Sequence, residues 1–390
     1  VSDKTKRRLR RLGYVLGALA LFFLFGFAPL FDAIANRPRG VVPPVSPAAQ
    51  ALHAKLWVAD LHADTLMWNR DLLERSSRGM VDVPRMIEGG VALQAFTIVS
   101  KTPWGLNVRF NRDNGDMLTG LFIAEHWPVS TWRSPFERGI YQAGRLAKAA
   151  ADSNGAFTVI HSRSELAAYS ARRAKDPKIA AGLLGAEGAQ VLEGDLGNMQ
   201  RLFDAGLRMM APTHFTDTDV GGSAHGEHKG GLTDFGRKVI AEQERLGILV
   251  DLAHASEKTI EDVLEISTKP IVFSHTGVTG TCPGPRNIKD DLVKRAAAKG
   301  GVIGIGLFEL AVCGQDLDAT VRAIRYTVNL VGVEHVALGS DFDGLVRSPI
   351  DEAGMAAVTD ALLKGGFSEA EVTAIMGGNV QRVLAEVLPE

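Results

Sequence analysis

The run Ile248-Leu249-Val250-Asp251-Leu252-Ala253-His254 is followed by the amphipathic segment Glu257–Ile266 and then by Ile271-Val272-Phe273-Ser274-His275. Neither apolar run shows the polar alternation of a one-sided strand. Each therefore reads as a strand buried on both faces, with a helix between them. Strand, helix, buried strand is the repeating unit of a parallel α/β fold, and here both strands run into a histidine. The same punctuation recurs outward from this point. Apolar runs lie at Trp57–Leu61, Ala92–Val99, Ile179–Gly185, Leu207–Ala211, Val302–Leu307 and Val336–Leu338, and further helical candidates at Arg237–Leu246, Leu292–Lys299, Asp318–Leu330 and Glu352–Lys364. Eight such runs predict a (β/α)8 TIM barrel with insertions. A doubly wound open sheet is the alternative, because the pattern alone does not show whether a sheet closes. A further short run, Phe157–Ile160, exceeds the count and is assigned to an insertion. Residues 101–156 are the least regular part, with Trp104, Phe110, Phe122, Trp127, Trp132, Phe136 and Tyr141 scattered through them. They read either as a pocket wall or subunit interface, or as helices packing on the barrel.

Upstream of the body, the twenty residues Leu12–Phe31 carry no charge and follow six cations within the first eleven positions. At ~1.5 Å per residue such a helix reaches ~30 Å, about one hydrocarbon thickness. The chain therefore divides into a basic segment 1–11, a transmembrane anchor 12–31, a proline-rich linker 32–48 and a barrel domain 49–390. Ala33-Ile34-Ala35 has the small-x-small form of a cleavage site, so a signal peptide competes with the anchor, although its apolar core is usually only ~7–15 residues long. The flanking cations stay cytoplasmic, which puts the body on the far side of the membrane, in a bacterium the periplasm. With 43 basic and 45 acidic residues overall and six of the former at the N-terminus, the body is net acidic. No broad nucleic-acid surface is expected.

Residues able to bind metal stand where six of the eight apolar runs end. They are His62 and Asp64, Glu187, His214, Asp251 and His254, His275, and Asp341 with Asp343. In a parallel barrel all strand C-termini share one rim, so these side chains converge. His62-x-Asp64 has strand period two and can chelate one ion, Glu187 can bridge two, and His254 and His275 add neutral imidazoles. That donor set suits two zinc ions, with manganese or iron as alternatives. Two ions sharing a hydroxide supply a nucleophile at neutral pH and polarise a carbonyl, which points to hydrolysis.

From about residue 56 to the end the chain resembles the membrane (renal-type) dipeptidases, zinc enzymes among the amidohydrolase-like TIM barrels. The resemblance rests on His62-Ala63-Asp64, Gly185-Ala186-Glu187-Gly188, Thr213-His214, Asp251-Leu252-Ala253-His254-Ala255-Ser256, Phe273-Ser274-His275, Pro285-Arg286-Asn287, Gly339-Ser340-Asp341-Phe342-Asp343-Gly344 and Gly378-Asn379. It implies one metal at His62 and Asp64, a second at His254 and His275, and Glu187 between them. It also implies that His214 contacts the scissile carbonyl or oxyanion, Arg286 binds the substrate carboxylate, and Asp341 carries the proton. A dipeptide substrate, tolerance of a D-residue at its C-terminal position and a homodimer are further implications. Another binuclear hydrolase (lactonase, phosphoesterase or N-acyl amino acid deacylase) and a non-catalytic zinc-binding protein are the rivals. Phe215-Thr216-Asp217-Thr218-Asp219 departs from the family where many relatives place an Asn, which leaves that part of the pocket open.

Asp343 competes with Asp341, since strand alternation points both to one side. His225 and His228, in the glycine-rich loop 221–228, read as a mobile loop over the site rather than as a metal pair. Cys282 and Cys313 follow the sixth and seventh strands, and both a disulfide and two free thiols remain open.

Overall fold

The computed structural model describes residues 2–40 and 42–390. Its strands are β1 (Val58–Ala63), β2 (Val91–Val99), β3 (Phe157–Val159), β4 (Ala180–Glu187), β5 (Leu207–Met210), β6 (Leu249–Val250), β7 (Val272–Thr276), β8 (Val302–Ile305) and β9 (Val336–Leu338). All ladders are parallel, in the orders β1-β2-β4-β5-β6 and β7-β8-β9. Two parallel bridges, Asp251 with Val272 and Ala63 with Phe342, join these arcs into a closed ring of eight strands. The ring is thus a barrel and not an open doubly wound sheet. Phe157–Val159 is itself a strand: β3 pairs with Ala180–Gly182 at the start of β4, while β5 pairs with β4 from Leu184 onward. It sits beside the ring without entering it, because β4 is long enough to serve two partners along one edge.

The strands are buried along their whole length apart from Thr158, as apolar runs without alternation require. One set of side chains, including Ala59, Leu61, Leu93, Ala95, Leu183, Met209, Leu249 and Val302, packs together inside the ring. Val380, Val383 and Leu384 of the C-terminal helix Asn379–Val387 join that cluster. The other set, including Phe96, Ile98, Leu184, Phe273 and Ile303, meets the surrounding helices in a larger cluster. Helix starts are set by side-chain caps. Thr233, Ser256 and Asp316 accept hydrogen bonds from the amides of Gly236, Thr259 and Ala319, each worth about 1 kcal/mol. Gly247 ends the helix Asp234–Leu246 at φ 73°. A Cβ there would lie 2.8 Å from Pro389 N, so a side chain meets both a strained backbone and a clash.

The N-terminus forms one helix, Asp3–Ala35, of 33 residues, long and apolar enough to cross a membrane. A π-turn occupies Phe23–Phe27. The part Asp3–Phe22 is exposed throughout, whereas Ala28 and Asp32 are buried against the barrel. Phe31 packs on Trp68, with ring centroids 5.9 Å apart, and Phe25 on His126 at 5.4 Å. Asn36 donates to Asp32 Oδ1 (3.0 Å) and accepts from the Leu345 amide (3.1 Å), so the chain leaves the helix already fastened to the loop after β9. Within 101–156, Phe122 stacks on Trp127 (3.8 Å), and both belong to the apolar cluster that receives this helix.

Candidate active site

Every metal-competent residue singled out in the sequence lies at the C-terminal rim of the ring. His62 is the penultimate residue of β1, where three residues of that strand span two of β2 between Asp60 and Ala63. A bulge of this kind re-aims the side chains around it. Glu187 is the last residue of β4, and His275 lies in β7. His214, His254 and Asp341 follow β5, β6 and β9. His254 and Asp341 both adopt φ of 63°, a left-handed backbone uncommon outside glycine and one that clusters at functional sites.

The donors converge on Glu187. Its Oε1 lies 2.9 Å from His254 Nε2, 3.3 Å from His275 Nε2 and 3.6 Å from His62 Nε2. His62 Nε2 is also 3.4 Å from Asp64 Oδ1 and 3.9 Å from Asp341 Oδ1. Three overlapping triplets have donor atoms within 4.8 Å of one another: His62, Glu187 and His275; Glu187, His214 and His254; and His62, Asp64 and Asp341. Glu187 and His62 each belong to two of them, and of the two Glu187, with its pair of carboxylate oxygens, is the one able to serve two ions.

Electrostatics point the same way. Burial holds His214, His254 and His275 well below their usual pKa, so they are neutral imidazoles with a free lone pair. Burial also disfavours charge on His62, but Glu187, Asp64 and Asp341 outweigh it and raise its pKa to about 10. A cluster that draws a proton so strongly onto an imidazole is one that attracts cations. Burial, with Asp64 and Asp341 nearby, pushes Glu187 well up. His254 Nε2 and His275 Nε2 stand 3.0 Å apart, within hydrogen-bond reach of each other and close enough to turn both lone pairs on one cation. Among the described residues, Glu187 Oε2 and the Nδ1 atoms of His214 and His254 are buried without hydrogen-bond partners. The donor set therefore fits divalent metal.

Side chains behind the donors fix their orientation. Ser274 Oγ donates to Asp251 Oδ2 (2.6 Å), so it can only accept from His275 Nδ1 (2.9 Å), leaving the Nε2 lone pair on the cluster. Thr97 Oγ1 donates to Asp64 Oδ1 at 2.7 Å. Asp251 stood in the sequence as part of a motif and Thr97 stood nowhere; a polar residue near the C-terminal end of a largely apolar strand was the available signal for it. His225 is buried, its Nδ1 2.6 Å from the Val108 carbonyl and its ring centroid 5.0 Å from that of His254. Asn111 binds the His225 carbonyl through both its amide nitrogens. The glycine-rich loop is thus packed into the structure at His225 instead of hanging free, while His228 stays exposed.

Asp341 and Asp343 do not share a side. The strand ends at Leu338, and both residues lie beyond it in left-handed conformations, where alternation no longer applies. Asp343 accepts from Thr65 Oγ1 (2.8 Å), the Met80 amide (2.8 Å) and Arg70 (2.7 Å). Asp341 faces the cluster, and burial raises its pKa to about 7. Arg286, buried beside β7, donates through Nη2 to the His275 carbonyl (2.6 Å), while its Nη1 is buried without a partner among the described residues. Cys282 and Cys313 form a disulfide that joins the loop carrying Arg286 to the segment after β8.

A cavity of about 690 Å³ opens over these groups and is lined by Asp64, Glu187, His214, His254, Arg286 and Asp341. Much of the remaining lining is apolar and includes Trp104, Leu118, Phe308 and, from the N-terminal helix, Phe23, Phe27 and Phe31. Of the two readings of residues 101–156, the pocket wall applies to Trp104 and its neighbours and helix packing to Phe122 and Trp127.

Comparison with known proteins agrees with this geometry. The dipeptidase aclJ of Aspergillus oryzae is 28% identical over 412 residues, spanning 98% of this chain and 90% of that one. Among solved structures, dipeptidase AC, a metallopeptidase of family M19, superposes with a TM-score of 0.72 at 24% identity over 86% of this chain and all (100%) of its own. A metallopeptidase from Rhodobacter sphaeroides, liganded with a phosphinate mimic of the dipeptide L-Ala-D-Ala, gives 0.70 at 24% identity over 85% and 99%. These two likenesses establish the fold. Residues 47–388 match the family described as membrane dipeptidase, peptidase family M19, so the chain belongs to that family and is a metal-dependent dipeptidase.

Proposed function

We propose that this dipeptidase works with two zinc ions, is tethered by its N-terminal helix with the barrel outside the cytoplasm, and cleaves dipeptides including those with a C-terminal D-residue. The observation that carries the reading is the meeting, in one cavity, of a cation-seeking cluster and a buried guanidinium nitrogen that lacks a partner among the described residues. His62, Asp64 and Glu187 would hold one ion, and Glu187, His254 and His275 the other. Bound there, the ions supply a nucleophile from water at neutral pH and polarise the scissile carbonyl.

The chain's own residues do the rest. Arg286, forked and planar, pairs with the free C-terminal carboxylate and fixes which bond lies over the cluster. His214 is neutral, and its Nε2 lies 3.2 Å from Glu187 Oε2 without a hydrogen bond between them, so its N–H is available to the carbonyl oxygen as charge develops. Asp341, with a pKa of about 7, can take a proton at its carboxylate and return it to the leaving amine within one turnover. The solved relative with a phosphinate mimic of L-Ala-D-Ala supports the D-residue in the proposed substrate range. The disulfide and the N-terminal helix support the location, since disulfides persist in oxidising compartments.

The test is a comparison of free and C-terminally amidated dipeptides on the purified full chain in detergent, with metal content measured on the same sample. Amidation removes the partner of a buried charge, at a cost of about 3–5 kcal/mol or roughly two to three decades in kcat/KM. Two metals per chain and that gap are expected. Equal rates on both substrates would return the site to the lactonase, phosphoesterase or deacylase readings, and one metal per chain would end the two-ion proposal.

A further inference from the structure

We propose that the N-terminal helix is part of the substrate site: Phe23, Phe27 and Phe31, with Trp104 and Leu118, form an apolar subsite that selects dipeptides bearing a large aliphatic or aromatic side chain. The inference rests on the dipeptidase reading and adds to it a determinant outside the barrel.

The three phenylalanines stand four residues apart, which puts them on one face of the helix. Their rings stack in series, Phe23 on Phe27 at 5.9 Å and Phe27 on Phe31 at 5.7 Å. That face lines the cavity that also exposes Asp64, Glu187, Arg286 and Asp341. The π-turn at Phe23–Phe27 falls within it, and π-turns inside α-helices occur frequently at functional sites. With Phe23, Phe27 and Phe31 turned to the reacting groups, Leu12–Phe22 is the apolar stretch left free for lipid, so the helix serves as membrane attachment at one end and as a wall of the site at the other.

The helix is also held in place by more than grease. Asp32 is 1% exposed and lies 3.3 Å from Arg70 Nε and 3.8 Å from Arg78 Nε. Arg70 binds Asp343 in turn at 2.7 Å. A leader that is cut away after export gains nothing from a buried ion pair with the mature enzyme, and its loss would take away one of the two carboxylates that surround Arg70. The retained helix therefore walls the cavity permanently. At about 690 Å³ the space sits well within the range of small-molecule sites, and an unfilled apolar wall favours the substrate whose side chain displaces water from it.

The experiment measures kcat/KM for Leu-Leu and Ala-Ala on the full chain in detergent micelles. The wild type is expected to favour Leu-Leu, and Phe27→Ala and Phe31→Ala to lower the Leu-Leu to Ala-Ala ratio by roughly tenfold, the scale of a lost apolar contact in a specificity pocket. Phe27→Leu should lower it by less and decides the matter if the alanine variants do not fold. Inhibition by phosphinate mimics of the same two dipeptides should shift in the same ratio. Leu16→Ala, on the exposed part of the helix, should leave the ratio unmoved. A wild type that prefers Ala-Ala, or Phe27 variants with an unchanged ratio and intact Ala-Ala turnover, overturns the subsite while the dipeptidase reading stands. A wild type that cleaves neither peptide overturns both.

Discussion

The barrel rim brings Asp64, Glu187, His214, His254 and Asp341 to the cavity from five separate strand ends, whereas the N-terminal helix brings Phe23, Phe27 and Phe31 from one continuous segment. The rim is rigid because its strands are buried throughout and its donors are braced by Ser274, Asp251 and Thr97. The helix is docked from Phe23 onward, most firmly through Ala28, Asp32 and Asn36, with Asp3–Phe22 exposed. Chemistry that needs fixed distances is thus built on the scaffold, and shape selection is delegated to an element with a separate attachment. The two should fail separately.

Three substitutions test that separation, in order of expected effect. Asp341→Asn should keep both metals and lower kcat by roughly 10²–10⁴, as removal of a general acid/base does. Asp343→Asn, whose carboxylate is spent on Arg70, Thr65 and Met80, should act mainly on stability. Steady-state kinetics with metal analysis separates them, and a reversal of the pair would move proton transfer to Asp343. Arg70→Met should cost about 3–5 kcal/mol of stability, because it leaves Asp343 buried without its counter-charge and Asp32 with only the more distant Arg78. Thermal melting and limited proteolysis around 36–46 should then show the helix loosened while metal content is unchanged. Unaltered melting would mean that the ion pair does not hold the helix.

The smallest expected effect lies behind the rim. Glu352 is buried, with both carboxylate oxygens lacking partners among the described residues, and burial followed by the charge of Asp60 raises its pKa well above the ordinary 4.5. An acid raised in the folded state contributes stability that is fully present below the unfolded pKa near 4.5 and is lost as pH rises through the folded value. Glu352→Gln should therefore flatten the decline of stability from mildly acidic to alkaline pH by about 1–3 kcal/mol. Melting temperature against pH reads this. A parallel profile for wild type and variant would show that Glu352 does not titrate on folding.

The parallel α/β repeat was legible because its strands are apolar on both faces and end in polar residues, a pattern that fixes both period and direction. The metal-competent residues followed from that direction alone. Closure was not legible, since it depends on the bridges Ala63 to Phe342 and Asp251 to Val272 across long stretches of chain. The place of β3 outside the ring was legible only by count, as the run in excess of eight; its pairing with the start of β4 was not. Alternation misplaced Asp343 because the backbone turns left-handed after Leu338. The aromatic wall escaped for a different reason: a phenylalanine in an apolar helix suits lipid and pocket equally, and only Asp32 hinted that one face meets protein.

The disulfide carries a consequence for the life history of the chain. Arg286 sits in the loop that Cys282 and Cys313 tie to the segment after β8, and Asn287 Nδ2 bonds the Cys282 carbonyl (2.7 Å) and the Ala311 carbonyl (3.0 Å). Reduction should therefore raise KM for dipeptides more than it lowers kcat, which activity measured across a series of thiol buffers would show. On the extracytoplasmic location proposed above, a newly made chain in a reducing cytoplasm would hold its substrate loosely and would tighten that hold only after an oxidant on the other side had closed the loop. Maturation of the protein and arrival at its place of work would then be one event.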